Sequence, residues 1–402
     1  MASHTAADSA TGYLYQCRYA LYAALSRQGD EPGLMVSVET YDDVAFTQNG
    51  AAVELIQTKH SRTTKQLNDF SPQFWNTVGI WIKHLKDHPE ELGRTALMLV
   101  ATATVGEDTG LSMLRPEGQG RDIGAAHRKL VAAAAASKNQ DVEWAVDAFL
   151  KLDAAAQRQV LDMVAVLDAS PNIVDVREEI RRVLRHSARP EHLDHLIDRL
   201  EGWWFGVMTG ALSRKGGREI PVSEIDAKLH DLREQFGPLQ LPIDYAGVDP
   251  SAEIVSALKE RTFVDQLKEI QVGDTGIRRA IVDYFRAFNQ RSIWVRQGLL
   301  NGDELGQFGK RLIEAWERRW GIAERKLRNG ASDDDLVEAG TGVYDWACNC
   351  NICLRRVEEP FLTQGTFHLL ANKKRIGWHP DYKNRVALKA GQGDDDDDPA
   401  LV

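Results

Sequence analysis

The sequence predicts an α+β chain, with a compact αβββαβ series through residue 105 followed by a region that is helical almost throughout. Three observations predict it. Two β-prone runs are joined through Asn49–Gly50, the dipeptide that two-residue hairpin turns favour. Ser71 followed by Pro72 marks a helix start, with the proline at the first helical position. After "RTALMLVATAT" the strand signals give way to long stretches of helix formers.

Taken in order, Ala10–Gln28 forms a helix whose apolar stripe is Leu14, Cys17, Ala20, Leu21, Ala24 and Leu25. "LMVSVE" is a strand. "DDVAF" and "AAVELIQTKH" are the two arms of the hairpin. "SPQFWNTVGIWIKHLKDHPEEL" is a helix that buries Phe74, Val78, Trp81, Ile82 and Leu85, and "RTALMLVATAT" is a buried strand. Amphipathic helices follow, among them "DAAAQRQVLDMVAVL", "PEHLDHLIDRLEGWWFGVMTGAL" and "ELGQFGKRLIEAWERRWGIAERKL", with the clearest break at "SRKGGREIP". The expected organisation is a core at 1–110, a helical extension or linker at 111–215, a helical docking or regulatory domain at 216–390 and a disordered acidic tail at 391–402.

The chain of 402 residues is 43% hydrophobic and 27% charged, the balance of a soluble globular protein. No apolar run approaches the roughly 20 residues of a membrane span, and the start lacks the plan of a signal peptide, so the expectation is a cytoplasmic protein with no membrane partner. Net charge is -10, which argues against a general nucleic-acid coat. Asp394–Asp398 supplies half of that excess, whereas basic residues concentrate in Arg278–Arg328 and in "NKKRIGWHPDYKNR". Solvated helix faces account for most of these cations; a basic groove for phosphates is the alternative. Cys348, Cys350 and Cys353 offer three sulfur ligands where zinc takes four, and His368 completes the set only if the chain folds back. Packing cysteines are the expected reading, with Cys17 a lone fourth. No G-x-x-x-x-G-K-[ST], G-x-S-x-G or H-E-x-x-H is present, and "GTGVYDW" lacks the strand-loop-helix setting of a phosphate loop.

The chemistry concentrates at the hairpin. Strand alternation puts Val53, Leu55, Gln57 and Lys59 on one side and Glu54, Ile56, Thr58 and His60 on the other. An acid on one strand, with a polar residue and a lysine two apart on its partner, is an economical way to aim three groups at a scissile phosphate. Asp42, Asp43 and the upstream Glu39 are the candidate acids. A strict two-residue turn sets Asp42 opposite Gln57, and a loop one residue longer sets Asp43 there, so pattern leaves both open. Glu54 falls on the opposite side and is expected to face solvent. The alternative is an amphipathic domain with a polar strand end.

"SATGYLYQCRYAL", "VETYDDVAF" and "VELIQTKH" together resemble the nuclease domain of the PD-(D/E)xK superfamily found in bacterial anti-phage effectors. The type is that shared by cyclic-oligonucleotide-activated DNA endonucleases and the effector subunit of Lamassu, or ABC three-component, systems. "RSIWVRQGLL" and "GTFHLLANKKRIGWHP" are similar to the C-terminal module of those effectors. The resemblance implies a restriction-endonuclease-like core and a Mg²⁺-dependent endonuclease of double-stranded DNA. It assigns Asp43 as the metal-binding acid, Gln57 to the usual acid position, Lys59 as the catalytic lysine and Glu39 as a further metal ligand, and has Gln16 line the site. It implies an SMC-like ATPase and a small accessory subunit as partners, restraint until invasion is sensed, and a homo-oligomer when active. "FGKRLIEAWERRW" and Trp203–Trp204 are candidate contact surfaces, although helical packing explains their aromatics equally well. Gln57 departs from the usual Asp or Glu: an amide oxygen can ligate Mg²⁺ but lacks the charge that holds it firmly. Two rivals remain, a nuclease-like fold that binds without cutting and a helical scaffold.

Overall fold

The computed structural model describes residues 6–27, 31–59, 66–213, 218–237, 239–327 and 331–387; His60 and the aspartate run 394–398 lie outside them. The chain divides into two compact units, Met1–Ala188 with Leu193–Leu232, and Arg189–His192 with Arg233–Val402.

The first unit is built on a six-stranded mixed sheet. Helix α1 (Ala6–Leu25) leads into β1 (Leu34–Val38), β2 (Val44–Gln48) and β3 (Ala51–Lys59); then come α2 (Pro72–Asp87) and β4 (Ala96–Ala101). The expected αβββαβ order is therefore present. β1, β2 and β3 run antiparallel in sequence, and β4 lies parallel to β3. The sheet continues beyond the expected boundary, because helices α3 (Ile123–Ala136), α4 (Glu143–Leu150) and α5 (Ala154–Met163) lead to β5 (Val164–Leu167), which adds parallel to β4. "DAAAQRQVLDMVAVL" is thus not one helix. It turns to strand where its last valines, Val164 and Val166, alternate into the core. After α6 (Asp175–Val183) and α7 (Leu193–Leu212), β6 (Ile220–Pro221) closes the other edge against β1, the place where a sheet accepts proline.

One face of the sheet packs on α2 to α5. Ala45, Leu55, Leu97, Leu99 and Val166 share a core with Phe74, Trp75, Trp81, Leu130 and Phe149. The other face, with the buried Val36, Val44, Phe46 and Ile56, lies under α1, which in turn packs on α6 and α7. Arg27, just past α1, stacks 3.7 Å from the Phe46 ring centroid and pairs with Glu54. Glu54 therefore does not face solvent as expected; it is half-buried beneath α1 and anchors that helix to the sheet. Trp204 of α7 is buried and donates to Cys17 O at 2.7 Å, so this half of the Trp203–Trp204 pair is core.

The second unit is helical: α8 (Val222–Gln235) ends in it, followed by α9 (Ala252–Leu258), α10 (Thr262–Glu269), α11 (Asp274–Arg296), α12 (Gly302–Lys326), α13 (Asp333–Cys348), α14 (Pro360–Asn372) and the short α15 (Tyr382–Arg385). Helices α11 and α14 touch backbone to backbone at Gly365, where an added Cβ would stand 2.1 Å from Asp283 O and 2.5 Å from Ala287 Cβ. Gly365→Ala is expected to cost about 2–3 kcal/mol in this unit, read as a lowered urea midpoint, because the obstacle is rigid backbone. His368 sits in an aromatic box, its ring 5.4 Å from Phe263, 6.2 Å from Tyr344 and 6.3 Å from Trp378, and burial pushes its imidazole down to about 3. The four cysteines are free thiols, and among the described residues no three His, Cys, Asp or Glu side chains gather as a metal site. No described helix is long and apolar enough to cross a membrane.

Candidate functional site

The hairpin turn is as tight as Asn-Gly predicts: Asn49 has φ 53° and Gly50 φ 81°, the left-handed pair that glycine and asparagine tolerate. Yet the register is that of a longer loop. Gln48 faces Ala51 and Thr47 faces Ala52, but Phe46 faces Glu54 and Val44 faces Ile56. Val53 is the extra residue of a β-bulge. It moves Ala52, rather than Val53, into the core with Leu55. One residue beyond the ladder, the same register brings Asp43 level with Gln57.

The bulged segment is held by side chains. The β3–β4 ladder begins only at Glu54–Ala96. Before it, Ala52 N donates to Glu91 Oε1 at 2.8 Å and Ala52 O accepts from Thr95 Oγ1 at 2.7 Å. Glu91 is 5% exposed, and its second oxygen meets His84 Nε2 at 2.6 Å. Sequence reasoning missed Glu91, Thr95 and His84; an acid placed between a helix and a strand carries no signal that it reaches a backbone amide 39 residues away.

Asp42 and Asp43 lie in the bend between β1 and β2, where strict alternation has lapsed. Asp43 Oδ2 accepts from Thr58 N at 2.8 Å and Thr58 Oγ1 at 3.0 Å, standing in for a ladder carbonyl at the end of β2. Its Oδ1 has no hydrogen-bond partner among the described residues. Asp42 Oδ1 accepts from Asp43 N at 2.9 Å and Oδ2 from Trp81 Nε1 at 2.7 Å, which puts Asp42 on the α2 side of the sheet. Burial pushes the Asp42 carboxyl up to about 6; the hydrogen bonds from Trp81 and the Asp43 amide and the charge of Lys59 offset this in part, while the Asp43 charge adds to it. Lys59 and Asp42 therefore feel each other across the strand end.

Gln57 is 5% exposed and Lys59 half-buried, on the side of β3 that carries Leu55. Glu39 is exposed, with φ 55°, and its N donates to Asp43 O at 3.2 Å, closing the β1–β2 bend. Its charge acts on α1: burial and then neighbouring negative charge, Glu39 included, hold Tyr13 up to about 12 and Cys17 up to about 11. Gln16 shares that helix face by spacing, and its Oε1 is buried with no hydrogen-bond partner among the described residues. The structure thus brings Asp42, Asp43, Gln57 and Lys59 to one strand end, and relates Glu39 to α1.

Asp42 keeps a proton in the folded chain to a higher pH than in the unfolded chain. Stability from this group is therefore full below about 4 and lost as pH rises through about 6, on the order of 2 kcal/mol. The difference in urea stability between the protein and Asp42→Ala is expected to change with that slope between pH 4.5 and 7.5; a flat difference would contradict the buried setting.

Fold and site together define a mixed-sheet α/β unit with two acids, an amide and a lysine at one strand end, joined in sequence to a helical unit. Residues 263–386 of the latter match the family model of C-terminal domain 7 of the ABC-three component (ABC-3C) systems. The match supports membership of the chain in such a system, and with it the existence of partner subunits. No curated protein matches the chain.

Proposed function

We propose that the chain is the nuclease effector of an ABC-3C anti-phage system, a Mg²⁺-dependent endonuclease that cuts double-stranded DNA with little base preference. The observation that carries this reading is the bulged register, which, continued one residue past the Val44–Ile56 pair, levels Asp43 with Gln57, with Lys59 near enough for its charge to act on Asp42. The donor set fits Mg²⁺ held with substrate: one or two carboxylates and an amide oxygen are the usual protein share, with phosphate oxygens and water filling the rest. Asp43 offers Oδ1, Gln57 its carbonyl oxygen and Glu39 a carboxylate close in sequence. The ion would supply Lewis-acid withdrawal of charge from the scissile phosphate.

The chain's own groups divide the remaining work. Lys59 orients the attacking water and offsets the charge that grows on the phosphate oxygens as the new P–O bond forms. Thr58 fixes the Asp43 carboxylate, so that it does not reorganise during the reaction. Asp42, pinned by Trp81, holds Asp43 through its amide. The helical unit docks the partners, an SMC-like ATPase that keeps the nuclease restrained and a small accessory subunit. Cutting both strands needs two sites, hence self-association when active.

A second reading, a nuclease-like fold that binds without cutting, is favoured by the neutral Gln57 and by the absence of a three-acid cluster among the described residues. Incubating the purified chain, alone and with its partner subunits, with duplexes of unrelated sequence in Mg²⁺ or in EDTA decides between them. Cuts in every duplex that EDTA abolishes are expected. Binding without cuts in both settings would favour the second reading.

A further inference from the structure

A groove of about 490 Å³ lies on the second unit, between α11 and the start of α14. Three arginines of α11 line it: Arg278, Arg279 and Arg286. Arg278 and Arg279 are exposed, and neither makes a hydrogen bond or ion pair among the described residues. Arg286 spends its Nε and Nη2 on Val248 O and Asp249 Oδ1, both at 2.8 Å, so its position is fixed but that edge is occupied, and the free forks are those of Arg278 and Arg279. Between the arginines stands Asp283, half-buried, its carboxyl raised to about 6 by burial and only partly relieved by Arg286 and Arg279. The opposite wall carries Glu359 and Gln364, and Gln364 Nε2 is spent on Cys348 O at 2.5 Å. Next to the groove, α11 and α14 abut closely at Gly365, whose added Cβ would meet the backbone of the lining residue Asp283.

We infer that this groove binds a nucleoside phosphate. Its volume lies within the range of small-ligand sites. Guanidinium forks on one wall match phosphate oxygens in pairs. The carboxylates at its centre and rim oppose a continuous polyanion such as a DNA strand. They suit a ligand whose other end presents N–H donors, as a nucleobase edge does. Arginine density in this segment is thereby given a use beyond a solvated helix face. The inference is independent of the nuclease proposal, because its test reads binding and not cleavage.

The test is calorimetry of the full chain with guanosine 5′-monophosphate, whose base edge offers two adjacent donors, beside inorganic phosphate and a short duplex. Saturable nucleotide binding is expected, weakened at least about tenfold in the double variant Arg278→Ala/Arg279→Ala, which changes only exposed side chains. Asp283→Asn is expected to weaken the nucleotide while leaving inorganic phosphate bound. No heat with the nucleotide at millimolar concentration, nucleotide binding unchanged in the double variant, or tighter binding of the duplex at these arginines would each overturn the inference.

Discussion

Asp43→Ala is expected to reduce Mg²⁺-dependent DNA cleavage at least ~10²-fold, whereas Asp42→Ala is expected to act mainly on stability. The two neighbours differ in how their oxygens are used. Both Asp42 oxygens accept an N–H, from the Asp43 amide and from Trp81. Asp43 spends one oxygen on Thr58. Truncating Asp42 leaves a buried indole N–H unsatisfied, a cost of about 1–3 kcal/mol that thermal melting would register. Truncating Asp43 removes the acid level with Gln57. Melting curves taken beside the cleavage assay separate the two effects. Cleavage that survives Asp43→Ala but vanishes in a still-folded Asp42→Ala would move the metal-binding role to Asp42.

Glu91→Ala is expected to cost about 3–4 kcal/mol, combining an unsatisfied Ala52 amide with a His84 that loses its buried partner. Its effect should extend past stability. The bulge at Val53 converts a tight Asn-Gly turn into the register that, continued one residue, sets Asp43 level with Gln57, and Glu91 and Thr95 hold the residue before it. A cysteine pair at 43 and 57 should cross-link readily in the parent chain and less readily with Glu91→Ala. Glu91→Gln, which keeps an acceptor for Ala52, is expected to restore most of the cross-linking. Equal cross-linking in all three would mean that the register is fixed elsewhere.

The hairpin was legible because its signals are local: Asn49–Gly50 demands positive φ twice, and the runs on either side of it are β-prone. The same holds for α2, whose Ser71–Pro72 start and aromatic stripe need no tertiary knowledge. The bulge was not legible, because no residue type at Val53–Glu54 demands it; its hold comes from Glu91 and Thr95, which lie across β4's entry. β5 escaped notice as four residues at the end of a good helix pattern, and β6 as two residues after a glycine-rich break. The partner of Glu54, Arg27, lies at the far end of α1 and could be assigned only once that helix lay over Phe46. The candidate residues themselves could be named from spacing. Which carboxylate faces Trp81 and which faces Thr58 could not, because the bend that holds them does not follow the pleat.

The most direct test of the central claim is cleavage of supercoiled plasmid by the chain with its partner subunits in Mg²⁺, beside the same complex carrying Lys59→Ala. Lys59 is half-buried at a strand end, so its truncation leaves the core intact. Relaxed and linear plasmid from the parent complex, with none above background from Lys59→Ala, is the predicted result. Equal cleavage by the two complexes, or none by either, would contradict the assignment of a nuclease site to this strand end.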